Sequence, residues 1–118
     1  MKKVALTACP KTEQRAALDA LTSELISIKD MVKLAGRRAL ARFEPTPEFK
    51  PVPVVPRMSS AHRYTTTKLV PAQVLAKLHG AVNPLGLKSD TEMLRGQYEP
   101  LFWAELDAII AELQARKG

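Results

Sequence analysis

The sequence predicts an all-α fold: a long N-terminal heptad-bearing helix, a proline-rich extended strap, then three shorter helices packing back, assembled as a dimeric bundle. Three observations carry this. Apolar residues recur at Leu18, Leu21, Leu25, Ile28, Val32, Ala35 and Ala39, with spacings that alternate between three and four, so they share one seam of a helix. Five of the nine prolines fall between Pro45 and Pro56, where fixed φ and missing N–H groups exclude helix. Beyond them, apolar residues return to helical spacing in segments headed by Pro71 and Pro100.

The chain has 118 residues, of which 46% are hydrophobic. That suits a single domain, 1–118, with a modest core of its own. The opening "MKKVALTACP" faintly resembles a signal peptide. Its apolar run from Val4 to Cys9 is short and broken by Thr7, so it is not read as one. The long helix then covers about Lys11 to Phe43 within a basic segment, 1–43, with Pro10 near its first turn. Ile26, Met31, Leu34 and Leu40 widen the seam. One chain offers few partners for that face, so the Leu18–Ala39 seam predicts a homodimer.

The segment "EPTPEFKPVPVVPRMSS", 44–60, is expected to be extended and largely polyproline II, a stiff connector across the surface. The alternatives are a docking peptide for an aromatic groove or brief edge-strand pairing by Val52, Val54 and Val55. The C-terminal segment, 61–118, is helical again. Pro71 suits a first helical position and Gly80 a terminal cap, with Val74, Leu75 and Leu78 as the apolar face. "SDTE", Ser89 to Glu92, forms a capping box that opens a short helix ended by Gly96. Pro100 starts the last helix, whose apolar face is Phe102, Leu106, Ile109, Ile110 and Leu113, with Trp103 at its edge. Glu105 and Glu112 flank that face. Arg116 and Lys117 suit the negative end of its dipole.

Within the first helix, "SIKDMVKLAG" resembles the first helix and turn of the lactose-repressor-type helix-turn-helix. Ile28, Lys29, Asp30, Leu34, Ala35 and Gly36 match that pattern. The resemblance implies a second helix, following the turn, that enters the major groove. It covers about ten residues of 118. Val32 stands where a small alanine is expected, and Arg37 and Arg38 follow the turn in place of a small polar residue. Only Arg38 to Phe43 remain for a recognition helix before Pro45. The heptad register also runs through Val32, Ala35 and Ala39, which favours one continuous or gently kinked helix, with Gly36 letting a neighbouring helix approach closely.

The net charge is +6, a balance that favours acidic partners. It is unevenly spread: nine Lys/Arg stand against four Asp/Glu up to Phe43, and five against six from Pro71 onward. Lys29, Lys33 and Arg37 lie four apart on one stripe, and Arg38 and Arg42 continue on another side. "RMSSAHRYTTTK" adds Arg63 and Lys68 beside His62 and Tyr64. Phosphate contact needs such mobile cations and no base-reading geometry. The plain alternative is a solvated basic face near a helix C-terminus.

Catalytic signatures are missing from the sequence. Cys9 is the only cysteine and His62 and His79 the only histidines, without zinc spacing. Ser59 and Ser60 near His62 lack a glycine elbow, and no Gly-rich phosphate loop occurs. No catalytic residue, metal site, cofactor or small-molecule substrate is expected. No stretch approaches the roughly 18–20 apolar residues of a membrane span. A reducing, cytoplasmic setting and no membrane partner are expected. The leading functional expectation is a small non-enzymatic regulatory or accessory protein, of the phage or mobile-element type by composition alone. It would contact nucleic acid through Lys29, Lys33, Arg37, Arg38, Arg42, Arg63 and Lys68. The rival is a protein-binding adaptor or inhibitor of a host protein, using the strap and the helix of Phe102 and Trp103. A structural assembly subunit is the third reading.

Overall fold

Alternation of side chains decides the fold class. In "KKVALTA", Val4, Leu6 and Ala8 are buried, while Lys3 is exposed and Ala5 and Thr7 are half-buried. In "YTTTKLV", Thr65, Thr67 and Leu69 are exposed, whereas Tyr64, Thr66 and Lys68 are half-buried and Val70 is buried. A period of two is a strand period, and β-branched threonines suit a pleated surface. The computed structural model describes residues 1–117 and pairs these two segments antiparallel, from Lys2 opposite Val70 to Ala8 opposite Tyr64. The fold is therefore mixed α/β, and the all-α, helical-bundle expectation is corrected. The order is β1 (Lys2–Ala8), a 3-10 turn (Thr12–Gln14), α1 (Arg15–Leu21), α2 (Ile28–Arg42), a second 3-10 turn (Ser60–His62), β2 (Tyr64–Val70), α3 (Ala72–Val82) and α4 (Asp90–Lys117).

The expected long helix from Lys11 to Phe43 is also overturned. Serine and threonine side chains compete for the backbone between Thr22 and Ser27. The Thr22 hydroxyl donates to the Leu18 carbonyl at 2.9 Å, and Ser23 Oγ accepts the N–H groups of Leu25 and Ile26. Ser27 then caps α2: its hydroxyl accepts the Asp30 N–H at 3.1 Å, and Asp30 accepts the Ser27 N–H at 2.9 Å, a reciprocal box. The heptad seam breaks here, with Leu25 91% exposed. Leu18, Leu21, Val32, Ala35 and Ala39 are buried in the chain's own core, so the cover sought from a second copy comes from α4 and the sheet.

Beyond this break α2 runs without interruption through Gly36 to Arg42. A Cβ at Gly36 would collide with the Tyr64 ring, and the Tyr98 hydroxyl donates to the Gly36 carbonyl at 3.1 Å. The glycine admits an aromatic ring from β2, not the neighbouring helix that the sequence suggests.

The two C-terminal helices expected around Gly96 and Pro100 are one helix, α4, of 28 residues. Proline inside a helix costs about 3 kcal/mol. The continuous buried face of Met93, Leu94, Tyr98, Phe102, Leu106 and Ile109 outweighs it. Gly96 is buried because the strap crosses there, and a Cβ would collide with the Lys50 carbonyl. Gly80 likewise lies inside α3. Asn83 terminates that helix instead, accepting the N–H groups of Leu87 and Lys88.

The inner face of the sheet lies over α2 and α4, with β1 on α4 and β2 on α2. The strap forms neither α-helix nor strand apart from a bridge between Arg57 and Lys11, and it is tied down. Gln97 accepts the Thr46 N–H and donates to the Thr46 and Glu48 carbonyls. Arg57 donates to the Pro53 and Val55 carbonyls. Among the described residues no helix is long and apolar enough to cross a membrane.

Candidate nucleic-acid interface

The first half of α2 and the turn before β2 form the site. Ser59 Oγ accepts the Ala61 N–H, which folds Ser60–His62 into a 3-10 turn and brings Ala61, His62 and Arg63 alongside α2. Between them lies a groove of about 620 Å³. Its inner wall is apolar: Val32 is buried, and Ile28 and the Tyr64 ring are half-buried. Its outer edge carries Lys29, Lys33 and Arg63, all exposed. Arg37, also exposed, continues the stripe one turn further along α2.

None of Lys29, Lys33, Arg37 and Arg63 has a carboxylate within ion-pair distance among the described residues. Asp30 is the nearest acid in sequence, and it is committed to the α2 cap. The Ser27 N–H, then the Ser27 hydroxyl, hold its carboxyl below the ordinary range.

The other predicted nucleic-acid residues belong to the scaffold. Arg38 pairs with Glu112 at 2.5 Å and Arg42 with Glu105 at 2.9 Å, joining the second half of α2 to α4. The Arg38 hydrogen bond holds the Glu112 carboxyl below its usual value. Lys68 Nζ donates to the Leu40 and Phe43 carbonyls at 3.0 and 2.7 Å, a cation closing the negative end of α2. Of seven expected contacts, four have no carboxylate partner among the described residues, and three of these meet at one groove. By spacing alone Ile28 and Val32 fall on a dimer seam, and Ala61 has no evident role. Their joint position depends on a turn packed against a helix some thirty residues away.

Phe102 and Trp103, expected to face a protein partner, are buried. The Trp103 indole donates to the Cys9 carbonyl at 2.8 Å, and Lys11 and Arg57 lie over its ring at 5.3 and 5.2 Å.

Two further polar constellations hold the fold together. Glu99, fully buried, accepts from Arg57, Arg95 and the Cys9 N–H. His79 Nε2 lies 2.7 Å from Asp90, and its Nδ1 lies 2.7 Å from Asn83 Nδ2. The Asn83 oxygen already accepts two backbone N–H groups, so its amide nitrogen faces the ring and Nδ1 accepts. Neither imidazole nitrogen is free for acid–base work. Among the described residues no group of three or more His, Cys, Asp or Glu is placed to hold a metal ion.

No protein-family model, curated protein or solved structure matches the chain.

Proposed function

We propose that this chain is a small non-enzymatic regulatory or accessory protein that contacts nucleic acid through α2 and the turn before β2. The observation that carries the reading is the convergence of Lys29, Lys33 and Arg63 on one groove, extended by Arg37, without carboxylate partners among the described residues. The molecule pairs its other α2 cations internally, so this half of the helix keeps its charge for an external anion. Phosphate oxygens match such mobile cations, and releasing their counterions drives binding.

Fluorescence anisotropy with a labelled nucleic acid at two salt concentrations tests the proposal. Binding is expected to weaken steeply with salt, and the double change Lys33→Glu with Arg37→Glu is expected to abolish it while far-UV circular dichroism stays unchanged. Binding that ignores both changes would sink the reading. No binding at low salt would redirect the stripe toward an acidic protein.

A further inference from the structure

We propose that the groove between α2 and the Ser60–His62 turn takes one unpaired base, so that the protein prefers single-stranded nucleic acid to duplex. This rests on the nucleic-acid reading above. Phosphate binding needs only cations on a convex helix face. Here the same cations rim a concavity that Ile28, Val32 and Tyr64 line together with Thr22 and Ser27, a mostly apolar lining that phosphate contact alone does not require. Its 620 Å³ falls within the roughly 300–1,000 Å³ of small-ligand sites, ample for a base and its sugar. A charged edge with an apolar wall fits a ligand built the same way, and a nucleotide is an aromatic ring joined to an anion.

Duplex bases cannot use such a wall, because their faces are stacked and their pairing edges occupied. An unpaired base can swing in and stack on an aromatic side chain, the mode by which proteins hold single strands. Tyr64 supplies that surface and is fixed in advance. Its ring sits in the notch where Gly36 lacks a Cβ, and the residue also lines the groove. His62 also lines the groove. Lys29 and Lys33 are one turn apart on α2, about 6 Å along the axis, so they can take successive phosphates while the base is held. Ile28, Val32 and Ala61 carry no side-chain hydrogen-bonding group, and the Thr22 and Ser27 hydroxyls are engaged with the Leu18 carbonyl and the Asp30 N–H, so stacking rather than base-edge readout is expected to dominate.

The test compares three labelled ligands of equal length with the full chain at low salt: oligothymidylate, the corresponding duplex, and an abasic strand with the same phosphates. The single strand is expected to bind about tenfold more tightly than either of the others, the effect of one stacked base. Ala61→Leu, at an exposed position on the turn, should crowd the groove between the turn and α2 and weaken oligothymidylate toward the abasic level without changing abasic binding. Equal, salt-sensitive binding of all three ligands would overturn the base site and leave phosphate contact standing. Loss of binding to all three would overturn both. A single-strand preference that survives Ala61→Leu would place the base elsewhere and also overturn the proposal.

Discussion

Glu99 is a carboxylate with no exposed surface, and its partners come from three separate parts of the chain. The Cys9 N–H at the end of β1 donates to it at 2.9 Å, Arg57 of the strap at 2.6 Å, and Arg95 of its own helix at 3.0 Å. Burial pushes its carboxyl up, but hydrogen bonds from Arg57, Arg95 and Cys9 together outweigh burial and hold it below the ordinary 4.5. A buried charge is tolerated only when paired this fully. Glu99→Gln leaves two guanidinium groups without their counter-ion, and the expected loss is about 3–5 kcal/mol, read by urea denaturation at neutral pH. The pH dependence has a definite sign. Because the folded carboxyl sits below its unfolded value, its contribution is present above about pH 4.5 and disappears as pH falls through the folded value. The stability gap between the parent and Glu99→Gln should therefore be wide at neutral pH and close in acid. A gap that does not narrow would show that Glu99 does not titrate with folding.

At the scale of elements, three glycines make opposite predictions from one substitution. Glycine inside a helix is about 1 kcal/mol worse than alanine. Gly80 sits in α3 with nothing within 4 Å of an added Cβ, so Gly80→Ala should stabilise by roughly 0.5–1 kcal/mol. At Gly36 the added carbon meets the Tyr64 ring, a side chain rather than backbone. At Gly96 it meets the Lys50 backbone carbonyl, which cannot move without lifting the strap. Overpacking costs about 1–3 kcal/mol, so both changes should destabilise, Gly96→Ala the more. Thermal unfolding of the three variants gives the order, and a Gly96→Ala as stable as the parent would remove the strap from α4. Part of this architecture was legible in the sequence. Val4, Leu6 and Ala8 alternate in plain view, but the stretch reads as a short apolar run when judged by continuity. The Ser27–Asp30 box marks a helix start, yet the heptad spacing crosses it because the buried faces of α1 and α2 fall by chance into one register. The continuity of α4 was not legible, since it depends on the strap covering Gly96 and on core burial that holds Pro100 within a helix.

The whole molecule spans 50 × 25 × 20 Å, long for its size because α4 alone, at about 1.5 Å per residue, runs roughly 42 Å. That length lets one helix supply acids to the second half of α2 and none to the first. Glu112 and Glu105 reach Arg38 and Arg42 across 74 and 63 residues of sequence. The basic stripe was legible from its spacing of four, but which of its cations are free was not, because the deciding carboxylates are distant in the chain. This division predicts how salt should act. Lys29, Lys33, Arg37 and Arg63 are four cations without a carboxylate partner among the described residues. At about 0.7 per phosphate for a single strand, the logarithm of the association constant should fall against the logarithm of salt concentration with a slope near 3. Replacing any one of the four with alanine should lower that slope by about 0.7 and leave the melting temperature nearly unchanged. Arg38→Ala and Arg42→Ala should do the reverse, keeping the slope and lowering the melting temperature, since their charges act between α2 and α4. Titrations of all six variants over a salt series, each paired with a melting curve, separate the two groups. If Arg38 and Arg42 reduce the slope as much as Lys29 and Lys33 do, the bound anion covers the whole length of α2, and the ion pairs to α4 open when it binds.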